Sequence, residues 1–279
     1  MSGERPSPGG LDPDDAGLAD PKPTNSDPAG FGPADSDSAD SRPADSDPTT
    51  RYGEAWVYES IVGAIPGLSP SRPVAVGVQF AVFEGLVLAL AAVYDLWSAV
   101  PAGTAAVGVA AAGSYLMLAL GEEIRGVGTP AAYRRALFSS NVEVVLGVVS
   151  FVALLTYLFA AGARSGQVPL FASLLGETPP VAAVALALLV AWDLCYRIGT
   201  AWWASVTGLA RTVRYRDRFD ARARARLRRA DLLTVAFALL HLPLAAFVRS
   251  QSLLVWAVVG HVAAVTLVSG ASASLLRRS

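Results

Sequence analysis

Six stretches of the chain are apolar on almost every face for close to 20 residues each: 74–96, 99–120, 142–161, 181–203, 232–248 and 253–275. About 20 such residues suffice to cross the hydrocarbon core of a bilayer. A spanning segment of that length must be helical, because lipid offers no partner to an unpaired backbone group. The pattern therefore predicts an all-α fold, a polytopic transmembrane helical bundle of about six spans over residues 73–276. The fifth stretch is the shortest and carries His241 and Pro243, so it marks its own ends least clearly, and Pro243 favours a kink that would open a cavity or a hinge. Span two is built from Gly103, Gly108, Ala112 and Gly113 among other small residues, which suits close helix approach inside a bundle. The Leu- and Phe-rich third span is expected nearer the lipid.

The pattern changes ahead of the first span. Residues 52–66 place Trp56, Tyr58, Ile61, Val62 and Ile65 at helical spacing beside Glu54 and Glu59, and Pro66-Gly67 ends the run. This is too short to span and predicts an amphipathic helix lying at the interface. Residues 1–50 hold 11 acids against three bases, a net of −8, in a background of Pro, Gly, Ser and Asp. Such a segment buries too little apolar surface to offset the entropy of ordering, so a disordered cytoplasmic tail is expected. A PADSD string recurs at 33–37 and 43–47 as low-complexity sequence.

Composition agrees with the membrane reading: 53% of residues are hydrophobic and 16% charged, against about 25% charged in soluble domains. Cys195 is the sole cysteine, which excludes an internal disulfide or a CxxC pair. Lys22 is the sole lysine and lies in the polar tail, so there is no intramembrane lysine for a Schiff base and no P-loop. Patterns for zinc hydrolases, nucleophile elbows, dinucleotide folds and EF-hands are absent. No enzymatic site is expected.

Arginines then orient the bundle. Arg125, Arg134 and Arg135 follow span two, and Arg277 and Arg278 close the chain. The segment 211–230 after span four holds nine: Arg211, Arg214, Arg216, Arg218, Arg222, Arg224, Arg226, Arg228 and Arg229. The alternate loops carry at most one each. Cationic residues stay inside, which predicts a plasma-membrane protein with both termini cytoplasmic. The arginine segment lacks Pro and Gly, so it can continue span four as a helix, and anionic lipid headgroups are its expected partner. A nucleic-acid surface would interleave stacking aromatics, and only Tyr215 and Phe219 are present, which argues against that partner. A second copy or another membrane protein is a further candidate partner.

Ionisable side chains at membrane depth are costly and mark structure or function. Glu84 in span one, Asp193 and Arg197 in span four, His241 in span five and His261 in span six qualify, with Asp95 and Glu143 near span ends. Asp193 and Arg197 are spaced i, i+4, which suits an internal ion pair. His241 and His261 fall at similar depth on adjacent antiparallel spans, and Glu84 reaches a comparable level. These residues suit interhelical hydrogen bonding, a proton or ion pathway, or paired axial ligation of a haem by His241 and His261. Adjacent helices sit close for a planar ring, so no cofactor is expected. The strings LALAAVYDL (88–96) and LALLVAWDL (186–194) align Asp95 with Asp193, the trace expected of an inverted repeat.

The segment YGEAWVYESIVGAIPG (52–67), ahead of a six-span bundle, resembles an uncharacterised membrane-protein family of halophilic archaea. The resemblance covers the chain from about residue 52 onward. It implies membrane location and multi-pass topology, and brings no activity or site residue. Two functional readings lead: permeation of a small solute or ion through the bundle, and a scaffold or sensor meeting lipid or partners through its tail and arginine segment.

Overall fold

A computed structural model describes residues 72–161 and 169–278. The acidic tail and the interfacial helix at 52–66 lie outside the described residues. Among the described residues nine α-helices follow in order: α1 (Arg72–Tyr94), α2 (Val100–Arg125), α3 (Ala131–Phe138), α4 (Val142–Thr156), α5 (Leu170–Leu175), α6 (Val181–Tyr215), α7 (Ala221–Leu239), α8 (Leu242–Ala245) and α9 (Ser252–Arg278). No strand occurs among the described residues.

Five segments are long and apolar enough to cross a membrane: Pro73–Tyr94, Trp97–Arg125, Ala131–Phe159, Val181–Arg218 and Ser252–Arg277. Their outer faces carry bare Val, Leu, Phe and Trp, among them Val78, Val149, Leu189 and Trp256. In water such a surface would drive association, and in lipid it is the solvated face. The chain is a multi-pass membrane protein. At about 1.5 Å per residue, the 35 residues of α6 extend about 52 Å, so α6 outruns a hydrocarbon core of about 30 Å. It carries the chain well into the arginine segment.

The small-residue span is central, as its composition predicts. α2 buries ten residues, from Val107 to Ile124, whereas the whole of α4 buries only Glu143 and Gly147. Glycine fixes the α4–α6 crossing. A Cβ on Gly199 would stand 2.5 Å from the Glu143 carbonyl oxygen and 2.7 Å from the Gly147 nitrogen. These are backbone atoms and cannot swing aside. Gly199→Ala is accordingly expected to prise the two helices apart at a cost of about 1–3 kcal/mol, read as a lower melting temperature in detergent. The exposed Gly260, whose Cβ meets nothing within 4 Å, serves as the control.

The fifth predicted span is corrected. Residues 232–248 do not form one apolar helix. Pro243 lacks the amide hydrogen a helix needs, and its ring opposes the carbonyl four residues back. That residue is Leu239, where α7 ends. One turn of α8 and a run of turns follow up to Gln251. The other end of α7 moves in the opposite sense. Asp220 Oδ1 accepts a hydrogen bond from the Ala223 amide at 2.7 Å and starts the helix inside the arginine segment. Residues 211–230 are therefore the end of α6, one turn at Arg216–Arg218, and the first half of α7. The Asp95–Asp193 match also dissolves: Asp95 takes a left-handed φ of 55° just after α1 stops, while Asp193 lies within α6.

Candidate functional site

α6 presents Ala187, Ala191, Leu194, Ile198 and Trp202 at helical spacing to a cavity of about 690 Å³. Side chains from α1, α2, α4 and α9 complete walls that are almost wholly apolar, and α5 adds Phe171. The broken segment after α7 supplies Leu244 and Phe247 where a continuous helix would have run. Pro243 thus shapes this wall as well as ending α7.

The cavity's ionisable groups are His241 and His261, the thiol of Cys195 and the phenol of Tyr157, which donates to Gln251 Oε1. The two imidazoles meet edge to face, their centroids 5.3 Å apart and their planes at 80°. They are 2% and 5% exposed. Trp202 and Phe237 flank them, with centroids 6.4 Å from His261 and 6.3 Å from His241 respectively. His241 Nδ1 donates to the Ala238 carbonyl at 3.3 Å. His241 Nε2 and both nitrogens of His261 are buried with no hydrogen-bond partner. Such orphaned groups are rare and call for an explanation. Rings in direct contact leave no gap for a porphyrin plane between them, so the paired haem ligation considered from sequence does not fit this arrangement. Among the described residues no set of three His, Cys, Asp or Glu side chains is placed to hold a metal ion.

Asp193 and Arg197 form the expected pair, and it is bidentate: Arg197 Nε donates to Asp193 Oδ2 at 2.7 Å and a terminal nitrogen to Oδ1 at 2.9 Å. The same terminal nitrogen donates to Ser114 Oγ at 3.0 Å, and Ser114 donates to Gln79 Oε1 at 2.8 Å. The pair therefore joins α6 to α2 and α1. Glu84 belongs to neither set. It accepts from Thr104 Oγ1 at 2.6 Å between α1 and α2, and it does not line the cavity. Glu143, near a span end in the sequence, is fully buried at the start of α4, and neither carboxylate oxygen has a hydrogen-bond partner.

α7 and α9 face each other through matching buried stripes. Asp231, Thr234 and Ala238 lie on one, which His241 continues just past the end of α7, and Ser272, Ser269, Val265 and His261 lie on the other. Their ends meet: His241 touches His261, and Ser272 Oγ donates to Asp231 Oδ2 at 2.7 Å. Arg211 joins that lower end, one terminal nitrogen reaching both Asp231 oxygens at 2.9 and 3.1 Å, with its guanidinium 5.4 Å from the Tyr133 ring centroid. Arg211 is 2% exposed, so it is an internal tie and not part of the lipid-facing basic set. Arg214, Arg218, Arg222 and Arg229 are exposed, and Arg216, Arg224, Arg226 and Arg228 half-buried. Arg229 pairs with Glu123 at 3.1 Å, and Arg226 donates to the Gly126 carbonyl at 3.2 Å.

Gln79, Ser114, Asp231 and Ser272 were not singled out from sequence. Each is a short or uncharged side chain, or in the case of Asp231 sits at the edge of an arginine run that reads as solvated. The signal was available in the i, i+3, i+7, i+10 spacing of Asp231, Thr234, Ala238 and His241.

Residues 51–272 match DUF7530, a family of unknown function, and the chain belongs to it. No curated protein and no solved structure matches.

Proposed function

We propose that this member of the family takes a small, largely apolar molecule into the bundle and holds its polar end at His241 and His261. The observation that carries this reading is the coincidence of an apolar cavity of about 690 Å³ with three unpartnered imidazole nitrogens on its lining. Ligand sites are commonly cavities of about 300–1,000 Å³ with apolar walls and a few converging polar groups. Apolar walls favour a lipophile over an ion, which narrows the expectation of permeation to molecules that already partition into lipid. The exposed arginines support contact with anionic headgroups, and their distribution supports cytoplasmic termini in a plasma membrane. Cysteines at Ser165 and Ala221, in a Cys195→Ser background, should react with an impermeant thiol reagent from outside and inside respectively. The Asp-rich tail and the preference for arginine over lysine support a halophilic archaeal source.

The cavity reading is tested with a ligand that needs no hydrogen bond. Diphenylhexatriene should bind the protein in nanodiscs saturably, in excess over empty nanodiscs. Ala187 and Ala191 line the cavity one turn apart on α6, and replacing both by Phe should remove that saturable component while the protein stays folded. Undiminished binding in a folded double variant would place the lipophile elsewhere.

A further inference from the structure

The hydrogen-bond inventory of the two histidines narrows the ligand's chemistry, an inference that rests on the cavity reading above. A backbone carbonyl only accepts, so the Ala238 contact fixes the proton of neutral His241 on Nδ1. Nε2 of that ring is then a bare lone pair, buried and unpartnered. It calls for a donor. His261 has neither nitrogen engaged, and its neutral ring offers one N–H and one lone pair. A doubly protonated ring would instead bury a positive charge among the apolar residues of the cavity, at far greater cost.

We infer that the ligand's polar end is a hydroxyl, so the cavity takes a lipophilic alcohol or phenol. One hydroxyl donates to His241 Nε2 and accepts the N–H of His261 through the same oxygen. The contact between the two rings, 5.3 Å between centroids, places both nitrogens sets within reach of one small group. A ketone, ester, quinone or ether only accepts and leaves His241 Nε2 bare. A hydrocarbon satisfies neither ring. A carboxylate accepts only and brings an uncompensated charge. Trp202 beside His261 gives an aromatic or branched apolar body a flat surface to pack on.

The experiment compares compounds of nearly equal size on the full chain in nanodiscs, each displacing diphenylhexatriene: 4-octylphenol against 4-octylanisole, and 1-dodecanol against its methyl ether. The hydrogen bond donated to His241 Nε2, which an ether cannot make, should favour a hydroxyl compound over its ether by about tenfold. The pair showing the larger ratio tells a phenol from an aliphatic alcohol. His241→Phe keeps an aromatic ring and removes the acceptor, so the ratio should fall towards one while the ether still binds. If that variant does not fold, the wild-type ratios decide alone. Equal affinities for hydroxyl compound and ether in both pairs would overturn the hydroxyl assignment and leave the cavity reading standing. Absence of saturable binding by any of the four, and by diphenylhexatriene, would overturn both.

Discussion

Asp231→Ala is expected to destabilise the bundle by about 3–5 kcal/mol, because it strands Arg211 in a site with almost no access to water. Arg211 and Asp231 are 2% and 5% exposed. Asp231 accepts from Arg211 and from Ser272, and Ser272 lies 2.8 Å from Thr212 Oγ1. Tyr133 covers the guanidinium. One carboxylate therefore ties α3, α6, α7 and α9. Its loss removes the charge that compensates Arg211 and breaks the hydrogen bonds of Ser272 and Arg211 together. Replacing both partners, Arg211→Met with Asp231→Leu, removes the charge as well as its partner and should restore most of the stability. Thermal unfolding in detergent of the single and double variants measures this. An Asp231→Ala protein within about 0.5 kcal/mol of wild type, the usual range of a surface change, would show that water reaches the pair.

The bundle itself was legible because lipid leaves few options for an apolar stretch of 20 residues. Placement of the small-residue span at the centre followed from backbone approach, and α2 sits there. What escaped was governed by single residues. Pro243 was read as a kink within a span, whereas it stops α7 at Leu239 outright. Asp220 supplies a cap that begins α7 eleven residues before the apolar stretch, inside the arginine segment. Hydropathy averages over such local chemistry, so the arginine segment and the fifth span were divided at the wrong place. At the site, the His241–His261 pairing was legible from depth arithmetic on antiparallel neighbours. Glu84 shares that depth and still lies elsewhere, because depth carries no information about the direction a side chain takes around its helix. The cavity was legible only as an opening that a kink at Pro243 would make, with neither its size nor its lining. It is what remains when α8 fails to continue α7, and no stretch of sequence encodes an absence.

The second large effect is expected at Asp193 and Arg197, and its asymmetry is the informative part. Arg197 has a side chain 1% exposed, whereas that of Asp193 is 27% exposed. Removing the aspartate leaves a buried guanidinium without its counter-charge, and should cost about 3 kcal/mol or more. Removing the arginine as Arg197→Met leaves a carboxylate that still meets its surroundings over a quarter of its surface, and should cost clearly less. Methionine also retains contact with Gly113, whose Cβ position lies 3.0 Å from Arg197 Cδ. The double variant, Asp193→Leu with Arg197→Met, should be more stable than Asp193→Leu alone, giving a coupling between the sites of at least about 1 kcal/mol. Ser114→Ala tests the third member, since it withdraws the link to Gln79 and leaves the ion pair in place. Strictly additive effects of the two changes would mean that Arg197 finds its compensation elsewhere, and the ion pair would then not be what holds α6 against α2 and α1. A coupling confined to stability, with diphenylhexatriene binding unchanged in the double variant, would separate this pair from the cavity, whose polar chemistry would then rest on the two histidines.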